Sequence, residues 1–223
     1  MDKPLHIQGA LAASILLLLV GSVHSQGLFE GKVIYDVSYR TEDSSMAQYV
    51  ALFPSVSELY VSGNKTRYEQ AVQGGAQQVF INGGTTQNSI LIMSFMGETF
   101  KVEISPEEIS SLKSNEAFKI VETEEKKEIQ GISCKAALAL HEGDTMKVYY
   151  SPELYEGSML PQFRELNGLL LEYETVQNGI FMHFKARQVD HKSLSEDQFH
   201  ASEGMKQVSF EDFAKSFAYK KES

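Results

Sequence analysis

From residue 29 onward, most of the chain alternates apolar and polar side chains with a period of two. This is the pattern of strands with one buried face. In "FEGKVIYDVSYR", Phe29, Val33, Tyr35, Val37 and Tyr39 share one face, while Glu30, Lys32, Asp36, Ser38 and Arg40 share the other. The same alternation predicts strands at "SELYVSG", "KTRYEQ", "QQVFIN", "NSILIMSF" and "ETFKVEIS". Turn residues punctuate them at Gly63-Asn64, Gly83-Gly84 and Gly97. "SILIMSF" is apolar on both faces. It therefore predicts a strand covered by sheet packing on one side and by a helix or ligand on the other.

Further on, Ile132, Cys134, Ala136, Leu138 and Leu140 fall on one face, with Ser133, Lys135, Ala137, Ala139 and His141 opposite. A tight turn at Glu142-Gly143-Asp144 returns the chain through Met146, Val148 and Tyr150. A second hairpin joins "GLLLEYETVQ" to "IFMHFKARQV" through Asn178-Gly179, a pair suited to a type I′ turn because both positions need positive φ. The period changes in two places. "SPEEISSLKS" has Ser105, Pro106 and Glu108 at the positions of a capping box. "SFEDFAKSFAYKK" has Ser209 as cap and an apolar stripe of Phe210, Phe213, Ala214 and Phe217. "SSMAQYVALF" fits a helix or a strand. The prediction is a mainly β, α+β chain: a strongly curved antiparallel sheet or half-open barrel, with helices covering its opening.

The first residues change the compartment. Lys3 precedes the apolar run "LAASILLLLV", and Val23 and Ser25 occupy the −3 and −1 positions of a cleavage site before Gln26. The run is too short to span a bilayer, which needs about 20 apolar residues. Residues 1–25 are thus expected to be a signal peptide, and 26–223 a single exported domain of the periplasm, the outer envelope or the medium. Gln26 is not a cysteine, so no lipid anchor is expected there. A formal net charge of −10, with no basic run beyond "KK", argues against nucleic acid. A single cysteine cannot staple the domain internally, so apolar burial must hold it.

Four blocks in the second half carry a resemblance: "KKEIQGISCKAAL", "DTMKVYYSPEL", "FRELNGLLLEYE" and "NGIFMHFKARQV". Their order resembles the GLPGLI family and its LolA-like relatives, exported proteins found mainly in Bacteroidetes. Gly168, Leu169, Leu170 and Leu171 match the eponymous block, with Asn167 in place of its proline. Gly131 to Ala136 match the cysteine block, with Ile132 and Ser133 in place of its aromatic residue and lysine. "GNKTRYE" resembles a further strand of these relatives. The resemblance covers roughly residues 28 to 190. It implies a half-open β-barrel with helices at its mouth, and distant relatives that carry acyl chains or other lipids in the hollow. A non-enzymatic envelope protein that binds a lipid, an acyl chain or a lipoprotein is the leading expectation, with membrane association at most transient. The alternative is an interaction module that binds a protein through the concave face.

On that reading the candidate cavity lining is Tyr35, Val37, Ile90, Ile92, Met146, Val148, Tyr150, Met182 and Phe184. The candidate lid is Phe210, Phe213 and Phe217. Thirteen Phe, ten Tyr and eight Met supply adaptable apolar surface for a ligand or for a packed core. No catalytic motif, cofactor motif or metal-ligand spacing is present. His183 and His191, eight apart, would share a strand face as solvent-facing polar positions. "ETEEKKE" reads as a solvated charged edge. Asn64-Lys65-Thr66 and Asp144-Thr145-Met146 resemble glycosylation patterns of little specificity. Cys134 reads first as a buried small apolar residue, with a reactive thiol or an intermolecular bridge as alternatives. Intact mass of the exported protein should place its first residue at Gln26. A product that retains residues 1–25 would contradict the export reading.

Overall fold

The computed structural model describes residues 28–44, 47, 50, 53–71, 77–82, 88–95, 97–108, 117–177 and 179–217. Residues 1–27, with the expected cleavage site at Ser25 and Gln26, lie outside them, as does most of "SSMAQYVALF".

The alternating segments form twelve strands: β1 (Gly31–Thr41), β2 (Val56–Ser62), β3 (Lys65–Ala71), β4 (Gln77–Asn82), β5 (Ser89–Phe95), β6 (Glu98–Ile104), β7 (Lys119–Ile129), β8 (Ile132–His141), β9 (Asp144–Ser151), β10 (Leu169–Gln177), β11 (Ile180–His191) and β12 (Lys206–Val208). One helix, α1 (Phe210–Phe217), follows, and 3₁₀ turns span Pro161–Phe163 and Glu196–Phe199. The strands make a single open sheet in the order β12-β6-β5-β4-β3-β2-β1-β11-β10-β9-β8-β7. Its edges, β12 and β7, do not pair, so the sheet is not closed into a barrel. The expected all-antiparallel pairing fails at one place: β12 runs parallel to β6, with Val208 opposite Val102. The chain reaches this edge from β11, in the interior of the sheet, and not through a hairpin.

Curvature follows from which side chains meet. In a flat sheet β3 and β10, four strand spacings apart, would be separated by about 19 Å. Yet Tyr68 of β3 and Tyr173 of β10 line the same pocket. Their face is therefore the inner, concave one. Following the register outward from Tyr173, this face carries Phe184, Val37, Leu59, Tyr68, Phe80, Leu91 and Val102.

Two coverings bury the sheet. The segment between β9 and β10, residues 152–168, straps across the inner face and inserts Leu154, Tyr155, Met159, Phe163 and Leu166 into the main core. Phe163 is fully buried and meets the rings of Phe118 and Tyr173 edge-on, at 5.1 and 5.8 Å. The C-terminal segment covers the other half on both sides. Phe199 packs with Val79, Ile81 and Ile92 on the outer face. The chain then passes along the β6 edge as β12, and Phe210 and Phe213 of α1 pack against the inner-face cluster of Leu91, Val102 and Ile104. Ser209 caps α1, its Oγ accepting from the Asp212 amide at 3.1 Å. The capping box at Ser105 and Glu108 is present at 2.7 and 3.2 Å, and helix is described there over residues 106–108.

Bulges account for two departures from the simple alternation. On β11 the register with β1 shifts between Ile34 and Tyr35, leaving Arg187 as the extra residue. The shift turns His191 to the inner side, edge-on to Phe29 at 4.9 Å, while His183 stays on the outer face opposite Ser38. The two histidines do not share a face. On β8 the most deeply buried side of the hairpin is that of Ala137 and Ala139, opposite Val148 and Met146. Cys134 and Ala136 are also buried but face outward, and Leu138 is only half-buried. β8 buries small side chains on both faces, so its polarity pattern does not tell which side is the core.

Two of the glycines in the resemblance blocks have distinct duties. Gly131 follows Gln130 in a two-residue turn, at φ 76° and 52° respectively, with open space where a Cβ would stand. Gly168 has φ 148°, and a Cβ there would lie 2.7 Å from the Ser151 carbonyl oxygen and 2.9 Å from the Tyr150 ring. Gly168→Ala should cost at least about 2 kcal/mol, through strain and the clash with backbone. Gly131→Ala should cost about 1 kcal/mol, through strain alone. Urea unfolding of the two variants checks the order; equal losses would show that the Ser151 contact is not limiting.

Candidate functional site

On the inner face, between the strap and the half covered by α1, a pocket of roughly 200 Å³ remains. Its wall comes from four strands and the strap: Tyr68 and Gln70 of β3, Phe80 of β4, Tyr173 and Thr175 of β10, Phe184 of β11, and Leu160 and Gln162. Period-two alternation directs Tyr68 and Gln70, and Tyr173 and Thr175, to the same face of their strands, and curvature brings the pairs together. Tyr173 stacks flat on Phe184, 4.8 Å between centroids and 7° between planes. The Tyr35 ring stands edge-on to both, and its hydroxyl donates to the Leu170 carbonyl at 2.7 Å. The Tyr68 hydroxyl is buried and has no hydrogen-bond partner among the described residues. Burial raises the pKa of both Tyr68 and Tyr173, so both phenols stay neutral.

Of the residues expected to line a cavity, Phe184 reaches this pocket. Tyr35, Val37, Met146, Val148 and Tyr150 are buried in the main core, where the strap fills the space a ligand would need. Met182 is half-buried against that core. Ile90 and Ile92 point to the outer face, where Ile92 packs with Phe199. Phe210 and Phe213, expected as a lid, pack against the inner-face cluster of Leu91, Val102 and Ile104, while the Phe217 side chain is outside the described residues. Sequence reasoning missed Tyr68, Gln70, Phe80, Leu160, Gln162, Tyr173 and Thr175. Their strand faces were legible in the alternation, but the meeting of β3 and β4 with β10 and β11 depends on curvature. Leu160 and Gln162 belong to a strap with no periodic pattern.

A larger groove of roughly 450 Å³ crosses the outer face between Arg40, Tyr149, Glu172, Glu174, Phe181 and His183. Its charges neutralise one another. Arg40 donates to Glu174 at 3.0 Å and lies 3.6 Å from the centre of the Phe181 ring. Lys127 donates to Glu172 at 2.7 Å, which raises the lysine's pKa, and His183 stands 3.6 Å from the same carboxylate. Tyr149 donates to Glu125 at 2.7 Å, beside Lys147. Among the described residues, no group of three His, Cys, Asp or Glu side chains converges to hold a metal ion.

No family model matches the chain, and no curated protein does. Among solved structures, one of PNGF-II superposes on 84% of this chain, with a TM-score of 0.53 and 16% identity. A second crystal form of PNGF-II covers 83%, with a TM-score of 0.51 and 15% identity. This chain spans 33% and 32% of those two chains, about a third of their length. The sheet architecture is thus one that also occurs within PNGF-II. A LolA superfamily protein from Nitrosomonas europaea aligns over 78% of this chain and 90% of its own, at a TM-score of 0.33 and 6% identity.

Cys134 lies beneath this outer surface, directly opposite Lys127 on β7, and its thiol donates to the Ile132 carbonyl at 3.4 Å. Burial raises its pKa from 9.0 to about 11, with Lys127 opposing the shift only in part. A folded value above the unfolded one contributes stability that is full below pH 9.0 and lost as pH rises through about 11. A thiol reagent at pH 8 should therefore label the native protein far more slowly than the urea-unfolded chain, and Cys134→Ala should cost about 1 kcal/mol. Native labelling as fast as unfolded labelling would restore the reactive-thiol reading.

Proposed function

We propose that this is an exported, non-enzymatic envelope protein that binds the apolar end of a lipid, or another hydrophobic group, in the inner-face pocket. On this reading the fold acts in the LolA-like manner that the sequence blocks resemble, with the strap and the C-terminal helix flanking the opening. The observation that carries the proposal is the pocket itself: an aromatic-walled gap where two coverings of one concave face fail to meet. Its volume is below the roughly 300 to 1,000 Å³ of a drug-sized ligand site. It therefore takes a chain end or a single ring and leaves the rest of the ligand at the mouth. Burying about six methylenes would contribute about 5 kcal/mol at most, which is a sub-millimolar affinity before the cost of association. Transient, exchangeable binding of this strength suits a carrier better than a storage site.

A second reading, a module that binds a protein partner, is favoured by the outer groove, which is larger than the pocket and lined with charged side chains. Native mass spectrometry of protein purified from its own host, with lipid extraction, separates the two: a lipid adduct supports the first, a protein adduct the second. The pocket is tested directly with the neutral fluorescent probe N-phenyl-1-naphthylamine. Saturable one-to-one binding is expected in the wild type. Gln162→Trp fills the pocket from a half-buried rim position and should weaken binding at least tenfold, with the unfolding midpoint little changed. Equal binding by the two proteins would place the probe elsewhere and contradict the proposal.

A further inference from the structure

The pocket is apolar in shape but not in chemistry. Tyr68 lines it, and the buried Tyr68 hydroxyl has no acceptor within hydrogen-bond geometry among the described residues. Leaving a buried donor unmatched is costly, and native structures seldom tolerate it without a compensating group. The neighbouring phenols do not relieve it. Tyr35 gives its proton to the Leu170 carbonyl, and the Tyr173 hydroxyl stands on the donor side of its interaction with Tyr68, so neither accepts the Tyr68 proton. What the wall lacks is an acceptor for the Tyr68 proton.

The charge of that acceptor is constrained. None of the eight lining residues is a Lys, Arg, His, Asp or Glu. Arg67, next in sequence, points to the other face, where it donates to Glu69 and to the Gln198 carbonyl. A carboxylate or phosphate drawn into the pocket would lose its hydration and meet no cation, which a low-polarity site does not compensate. An uncharged oxygen meets no such penalty. The half-buried Gln70 and Gln162 amides, from β3 and the strap, can bind further polar atoms.

We infer that the natural ligand presents an uncharged acceptor oxygen, of the ester or amide kind, to the Tyr68 hydroxyl while its apolar chain lies against Phe80, Tyr173 and Phe184. This rests on the pocket being a ligand site, and it narrows the ligand class to neutral acyl esters or amides as against free fatty acids. Tyr68 is then a specificity-determining residue, and the Tyr173–Phe184 stack is the apolar platform beside it.

The test titrates three probes of matched chain length against wild type and Tyr68→Phe, by displacement of N-phenyl-1-naphthylamine at pH 7.5. The probes are methyl decanoate, decanoate and undecane. Wild type should bind the ester at least tenfold more tightly than the carboxylate. Tyr68→Phe should lose about fivefold in ester affinity, the scale of one hydrogen bond, with undecane unchanged. The variant removes a buried hydroxyl whose proton has no acceptor but which faces the Tyr173 hydroxyl, so its unfolding midpoint should change little. If Tyr68→Phe binds ester and undecane as wild type does, or if wild type prefers decanoate, the inference fails while the pocket survives as a binding site. If neither protein binds any probe, the underlying reading fails with it.

Discussion

The Phe163 ring, wedged edge-on between Phe118 and Tyr173, is the contact on which the rest of the structure depends. A twelve-stranded sheet bent this strongly has a concave face to bury, and hairpin topology supplies nothing to bury it with. The strap does so. It is held at its middle by the Phe118 amide, which donates to the Gln162 carbonyl at 2.9 Å, and at its end by the Gly168 amide, which donates to the Gly157 carbonyl at 3.1 Å. At Gly168 the strap rejoins the sheet with its backbone against the Ser151 carbonyl and the Tyr150 ring, which explains why no side chain fits there. The pocket is a consequence of this arrangement. The strap fills the half of the face formed by β1 and β8 to β11, α1 covers the half formed by β5 and β6, and the space between them stays open.

The outer face and the free edge follow different physics. β7 is an exposed edge strand eleven residues long, which would invite pairing with another chain. It carries Glu122, Glu124, Glu125, Lys126, Lys127 and Glu128, and a register irregularity between Glu122 and Lys126. Charges and a bulge are both devices that discourage edge-to-edge association. The ion pairs of this region are largely exposed and contribute little to stability singly. Their effect is to keep a wide polar surface neutral and hydrated. At the opposite edge β12 is only three residues long, which offers little length for pairing with another chain.

Much of this was legible in the chain. The alternation of "FEGKVIYDVSYR" predicted β1 and its buried face, the double-sided apolar character of "SILIMSF" predicted a strand covered on both sides, and Ser105 and Ser209 marked helix starts. Cys134 was read as buried, and it is. Several failures share one cause: period-two patterns identify faces but not how the faces curve or slip. The extra residue Arg187 sends His191 to the opposite side from His183. Ala137 and Ala139, small and inconspicuous, form the deep side of β8. Ile90 and Ile92 have the apolarity of cavity residues, but they serve the outer cluster with Phe199. The expected cavity residues were correct core residues, because the strap that displaces a ligand from them has no pattern to reveal it. The segments that carry the resemblance contain Gly168, Cys134, Tyr68, Tyr173 and Phe184, but nothing in them tells that the last three meet at one pocket, and Phe80 lies outside them.

The central claim is that the gap between the strap and the C-terminal covering is a binding site. Intermolecular nuclear Overhauser effects between the protein and bound methyl decanoate test it most directly. The account predicts contacts from the chain methylenes to the Phe80, Tyr173 and Phe184 rings, and from the ester methyl to Tyr68. Contacts confined to the Tyr149 and Phe181 groove or to the Phe199 cluster, or no contacts under saturating probe, would contradict it.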